Sequence, residues 1–419
     1  MADVCYAEYG KQLKLKIIFL KRGFMKKIFL IIIFCIVFIG EVHADTLQYG
    51  NWTPAGPVPP FGLRDFYGST VFHNQIFVIG GKNSSPETPD PQSIARYNDV
   101  WSTYDGRNWT ERTANAGFSP RSHLSAAVFN DKLWVIGGDD GSSVRTNDIW
   151  SSSDGSNWHL VTANAGYSPR NDPVVVVFNN KLWVIGGRDE KPNRLNDVWS
   201  SSDGSNWTQI TDNAGFGQSP AYYLLSGTVF DNRIFIFAVV PNQESWGTNQ
   251  VWSSSDGKNW TLVNDNAPFE VREYLPVTVF NDRLWIVGGG NEGLPLVTMD
   301  MAVHPENYFY FNSVWSSADG NNWTLETEHA GFNPRYGMGV VTFHNKIWVL
   351  GGYPQVGDAW YLPLSVSSPV PPDFSLSSTT SAVPAVSGTT AQAGIDPLMV
   401  CFTLFIAFGV VAYGMKRKY

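Results

Sequence analysis

The hexapeptide Leu-Trp-Val-Ile-Gly-Gly occurs twice without change, at 133–138 and 182–187, and looser copies recur along most of the chain. Glycine doublets close the same pattern at Gly80-Gly81, Gly288-Gly289 and Gly351-Gly352, and a degenerate copy lies at Val229–Val239. Successive copies are separated by 57, 49, 52, 50 and 63 residues. A period near 50 is a severe constraint. Each unit is too small to bury its own apolar face and must stack on its neighbours.

Within one unit the residues read as four short strands. The first runs into Val-Phe and turns at Asn-Asp or Asn-Asn, dipeptides that tolerate the positive φ of a tight hairpin. The second is Leu-Trp-Val-Ile, ending at Gly-Gly, where missing side chains permit close backbone approach. The third is Asn-Asp-Val-Trp-Ser, and Asp-Gly-Ser-Asn turns it into the fourth, Trp-Thr. Four strands per repeat of this length define a β-propeller blade.

Tryptophan counts the blades. The third strands carry Trp101, Trp150, Trp199, Trp252, Trp315 and Trp360; the second strands carry Trp134, Trp183, Trp285 and Trp348, with Phe77 and Phe235 in the other two. Fourth strands carry Trp109, Trp158, Trp207, Trp260 and Trp323, one fewer than the third. The missing one stands ahead of the first unit, in Asn51-Trp52-Thr53, whereas the last unit stops at Trp360-Tyr-Leu-Pro. The expected fold is therefore all-β, a six-bladed propeller in which residues 51–53 complete blade six. Only Trp246 of the 17 tryptophans falls outside the repeat.

The doublets, the Pro-Arg ahead of the first strand (Pro120-Arg121, Pro169-Arg170, Pro334-Arg335) and Asn-Asp-Val-Trp together resemble the kelch-repeat family, over about residues 50–363. The hairpin Ser-Ser-Asp-Gly-Ser-Asn-Trp is also similar to the Asp-box of sialidase propellers, one residue shorter; the reading here is a structural turn for Asp105, Asp154, Asp203, Asp256 and Asp319.

In such a blade, the start of strand one and the strand 2–3 loop share a face, and variation collects there, at 82–98, 240–249 and 290–312. Long loops on one side of a rigid scaffold commonly carry binding. Sixteen residues before each doublet stand Arg64, Arg121, Arg170, Arg272 and Arg335, with Tyr222 in the fourth unit. Their neighbours include Asp65, His123, Asp172, Glu273 and Tyr336. Two readings stand side by side: the guanidinium groups converge on a carboxylate or other anion at the channel mouth, or they bond carbonyls and nearby carboxylates as part of the kelch pattern. The candidate ligand-binding residues are Arg64, Arg121, Arg170, Tyr222, Arg272, Glu273, Arg335, Tyr336 and Trp246. The cluster Glu306-Asn-Tyr-Phe-Tyr-Phe311 adds aromatic side chains on the same face.

The ends read as addresses. Residues 1–44 are expected to form a signal peptide with an N-terminal extension: a basic Met25-Lys-Lys, an apolar run from Ile28 to Gly40 and small residues in Val42-His43-Ala44. The propeller is assigned to 45–363, a Ser/Thr/Pro-rich stalk to 364–394, a transmembrane helix or sorting signal to 395–415, and a basic cytoplasmic tail to 416–419. That layout resembles bacterial and archaeal surface proteins. Residues 45–394 hold 19 basic and 33 acidic side chains, a net charge of −14, which repels phosphate backbones and excludes nucleic acid as a partner. Cys5, Cys35 and Cys401 are all terminal, so the propeller has no disulfide framework or thiolate metal site.

Among kelch-type activities the oxidase is disfavoured, since its cofactor needs a cysteine cross-linked to tyrosine. No cofactor, metal or catalytic residue is assigned. The expected function is a surface-displayed module that binds a protein or glycan ligand through the variable loop face, anchored in the membrane by its C-terminal helix. The alternative is an extracellular enzyme acting on acidic sugars through the arginine ring, similar to sialic-acid epimerases.

Overall fold

A computed structural model describes residues 48–49, 51–84, 94–141, 144–190, 194–216, 225–240, 247–272, 274–292, 308–354 and 357–365. The chain divides into units 1–367 and 368–419. The signal peptide, stalk, transmembrane helix and tail expected from the sequence lie outside the described residues, among which no helix is long and apolar enough to cross a membrane.

The described residues form six antiparallel sheets. Blade one comprises Gly68–Phe72, Gln75–Lys82, Arg96–Thr103 and Trp109–Thr113. Blade two comprises Ser125–Phe129, Lys132–Ile136, Ile149–Ser152 and His159–Thr162, and blade three Val174–Phe178, Lys181–Arg188, Arg194–Ser201 and Thr208–Thr211. Blade four has Leu225–Phe230, Arg233–Val240, Thr248–Ser254 and Thr261–Asn264; blade five has Val277–Phe280, Arg283–Glu292, Tyr308–Ser317 and Trp323–Thr327. Blade six contributes Gly339–Phe343, Lys346–Leu350 and Ala359–Ser365. On that last strand Thr53–Pro54 pairs antiparallel, Thr53 opposite Tyr361 and Pro54 opposite Trp360, and Gln48 lies opposite Ser365 farther along.

The second strand of each blade is apolar on both faces because both faces are covered. In blade one, Ile76 and Val78 join a core with Trp348 and Leu350 of blade six, whereas Phe77 and Ile79 join one with Leu133 and Val135 of blade two. The period-2 alternation of a strand thus divides its side chains between two inter-blade cores. The first-to-second turns have two consecutive left-handed residues, such as Asn130 and Asp131 at φ 48° and 54°, the backbone that Asn and Asp accept at low cost.

The Asp-Gly turns are built alike. Asp203 accepts the amide N–H groups of Ser205 and Asn206, each at 2.8 Å, and the Asn206 side chain; Gly204 N–H donates to Ser201 Oγ. Glycine is required there, since a Cβ on Gly204 would lie 2.1 Å from the Trp134 ring of blade two. The turn of each of blades one to five therefore seats on the second-strand aromatic of the blade before it, as Gly155 does on Phe77 and Gly257 on Trp183.

Those donors hold the carboxylates down. The Asn206 amide and side chain push Asp203 to about 2, and Asp105 and Asp256 reach about 2 although burial works against them. An unfolded aspartate titrates near ~3.9, so the folded chain binds fewer protons between the two values. The resulting stability is complete above about pH 4 and is lost as pH falls towards 2. Urea unfolding midpoints should drop across that window, and Asp203→Asn should be less stable at pH 7 and fall less steeply on acidification.

Candidate functional site at the channel mouth

The arginine ahead of each first strand is buried: Arg64 is 4% exposed and Arg121, Arg170, Arg272 and Arg335 no more than 1%. A buried guanidinium is tolerated only when paired. Arg64 forks onto Asp99 at 2.7 and 3.0 Å, Arg121 onto Asp148 at 2.7 and 3.0 Å, and Arg170 onto Asp197 at 2.8 and 2.9 Å. Arg335 pairs with Asp358, and Arg272 with Glu270. Each also donates to the first doublet carbonyl of its own blade, such as Arg170 to Gly186 at 2.9 Å. The main chain of Arg64, Arg121, Arg170 and Arg335 belongs to the preceding blade. Arg121 N–H donates to Tyr97 O at 3.0 Å and its carbonyl accepts Gly81 N–H at 2.9 Å; Arg170 does the same with Thr146 and Gly138 at 3.0 Å. Each of these four is thus a rivet across a seam.

Two residues beyond the arginine the chain turns left-handed: Phe66, His123, Asp172 and Gly337 have φ of 51°, 55°, 49° and 62°. Phe66 N–H donates to Gly337 O at 2.8 Å, His123 N–H to Phe66 O at 2.8 Å, and Asp172 N–H to His123 O at 2.9 Å. These bonds form a belt through blades six, one, two and three. A phenylalanine at positive φ is strained, and strain of this kind persists where the surroundings over-determine it, commonly at functional sites.

The belt lines a cavity of about 290 Å³ in the central channel, with Phe66, His123, Asp172 and Tyr274 at its rim and Ser69, Ser125 and Ser226 below. One side of the mouth is aromatic. Tyr274, Tyr336 and Tyr310 form a stack with centroid spacings of 5.2 and 5.3 Å, and Phe66 meets Tyr274 edge-on at 4.6 Å. Tyr353 closes against Tyr310 and Tyr336. The other side is charged. His123 stacks on Phe66 at 4.0 Å and its Nδ1 lies 3.1 Å from Asp139 Oδ2. Asp139 is also gripped by Arg96 at 3.1 Å; burial would raise its carboxyl, but His123 and Arg96 outweigh it and hold it well below the usual range. Arg188 pairs with Asp172 and its side chain also bonds Tyr274, so it bridges blades three and five. Burial opposes its charge, yet Asp172 and Tyr274 raise it above the ordinary value. Arg145 is pushed down by burial and then by Arg188.

The expected site residues separate accordingly. Arg64, Arg121, Arg170, Arg272 and Arg335 do not converge on the channel; they pair off with carboxylates and carbonyls behind the mouth, because full burial leaves each guanidinium needing local acceptors. Tyr336 stands in the middle of the tyrosine stack, 4% exposed. Tyr222, Glu273 and Trp246 lie outside the described residues. The sequence reading did not single out Phe66, Tyr274, Arg188 and Asp139 as site residues, though a signal for them exists. The residue after each doublet, Lys82, Asp139, Arg188, Gly290 or Tyr353, varies inside an otherwise repeated segment, and it pairs with the first strand's lead-in, as in Asp65 with Lys82, Asn171 with Arg188 and Tyr336 with Tyr353.

Two family models match the chain. The KLHDC2/KLHL20/DRC7 Kelch-repeats domain covers residues 38–238, and the DUF6242 beta propeller domain covers 177–304. No curated protein matches. With six blades built on one repeated seam, these matches support a kelch-repeat propeller family for the chain.

The rivet can be tested apart from binding. Removing one partner of a buried ion pair costs about 3–5 kcal/mol. Arg170→Met should lose stability of that order in urea unfolding, and Arg170→Met combined with Asp197→Asn should recover part of it by removing the stranded charge.

Proposed function

We propose that the chain is a non-catalytic recognition propeller, exported and held at the cell surface, that binds a protein or glycan partner through the channel mouth. Kelch propellers are interaction modules as a class, and fold alone does not name a ligand. The observation that carries the reading is the contrast between scaffold and mouth. Turns, doublets and rivets repeat from blade to blade, whereas Phe66, His123, Asp172 and Tyr274 break the repeat and meet around one cavity, with Arg188 paired to Asp172 and Tyr353 packed on Tyr336. Export and anchoring are supported by the apolar run before Ala44 and by the apolar 395–415 segment followed by Lys416-Arg417-Lys418. The pairing of Thr53–Pro54 with Ala359–Ser365 supports closure of the ring by residues 51–53. The acidic-sugar enzyme reading relied on arginines whose guanidinium groups are engaged by Asp99, Asp148, Asp197, Glu270 and Asp358.

Cells carrying the full-length chain should be labelled at their surface by an antibody to the propeller without permeabilisation. Purified partner should bind wild type and the opposite-face variant Asp131→Ala equally, and should lose tenfold or more in affinity with Tyr274→Leu or Arg188→Ala. Equal binding by all four proteins would remove the mouth as the site.

A further inference from the structure

The mouth offers a ligand an open ring nitrogen and an open carboxylate oxygen. Asp139 is held by Arg96, and His123 Nδ1 stands 3.1 Å from Asp139 Oδ2 and 3.1 Å from Ser122 Oγ. That engages one ring nitrogen and leaves Nε2. Among the described residues Nε2 has no hydrogen-bond partner, and the imidazole lines the cavity. Asp172 repeats the pattern. Its Oδ2 accepts from Arg188, which leaves Oδ1 to accept again from a cavity occupant. The hydroxyls of Ser69 and Ser226 line the wall below, and the Phe66 and Tyr274 rings stand beside these groups at the rim.

We infer that the cavity is a subsite for one uncharged sugar residue of a glycan, whose hydroxyls bond His123 Nε2 and Asp172 Oδ1 while its C–H face packs on Tyr274. The inference rests on the mouth being the binding site and names what occupies it. Three observations converge on this chemistry. Two open polar groups lining one cavity call for an occupant with more than one hydroxyl. The Asp172 carboxylate at the rim disfavours an anionic occupant, because Arg188 is already engaged by Asp172 and Tyr274. The cavity, about 290 Å³, falls at the low end of the ~300–1,000 Å³ of small-molecule pockets, which limits it to a single ring. The tyrosine stack continuing through Tyr336 to Tyr310 and Tyr353 holds Tyr274 in place from behind.

The test uses the purified full-length chain, an array of neutral and acidic oligosaccharides, and titration with methyl glycosides of neutral hexoses and of glucuronate. Wild type should bind a neutral saccharide at least tenfold more tightly than its uronate counterpart. His123→Phe, which keeps the ring over Phe66 and removes Nε2, and Asp172→Asn should each weaken binding about tenfold or more, an effect of about 1.4 kcal/mol. His123→Gln, which restores a hydrogen-bonding group, should recover part of it, and Tyr274→Phe should bind better than Tyr274→Leu. Unchanged thermal midpoints show that each variant is folded. Preference for the uronate, or saccharide binding indifferent to His123→Phe and Asp172→Asn, would overturn the subsite. If no saccharide binds while Tyr274→Leu still abolishes binding of a protein partner, the sugar assignment falls and the mouth stands; if Tyr274→Leu changes neither, the mouth falls as well.

Discussion

The seam between blades depends on one arrangement: a buried arginine whose backbone belongs to one blade and whose side chain belongs to the next. Packing alone gives neighbouring blades no fixed angle, since apolar contacts are non-directional. The forked pair of Arg121 with Asp148, together with the Gly81 amide on the Arg121 carbonyl, supplies the direction. The aspartate serves a second donor as well, because Trp150 Nε1 binds it at 2.7 Å and Trp199 Nε1 binds Asp197 at 2.7 Å. Arginine, aspartate, tryptophan and glycine doublet are therefore one device, in which losing both charges costs less than losing one.

Blade four bears this out. Tyr222 holds the arginine position and Gln250 the aspartate position, with Ala238 and Val239 where the doublet would be. Losing the two charges together leaves neither stranded, and Gln250 still accepts Trp252 Nε1 at 3.0 Å. Blade five substitutes differently. Ser313 replaces the aspartate, Arg272 turns to Glu270, and among the described residues Trp315 Nε1 has no partner.

The blades were legible in the sequence because their signals are local and repeated. Turn dipeptides, doublets and tryptophan positions each recur about every 50 residues, and six copies average out the exceptions at Phe77 and Phe235. The site was less legible. Arginines spaced alike on a ring invite a picture of convergence, but the carboxylates of Arg64, Arg121, Arg170 and Arg335 lie 23 to 35 residues away, on or just ahead of the third strand, a distance that sequence spacing does not resolve. The mouth residues were harder still. His123 and Asp139 meet Arg96, Asn171 and Phe66 across three blades, and only the closed ring brings them together. What the sequence does offer is the break in the repeat after each doublet.

The belt of backbone bonds through Gly337, Phe66, His123 and Asp172 makes the aperture of the channel a property of the main chain. Its width is fixed by how many blades share the circle, and not by which side chains line it. Side chains on the belt can then be exchanged without altering the frame that holds them. A lineage built on this frame could change what it recognises by single substitutions at the belt, at little cost to the fold.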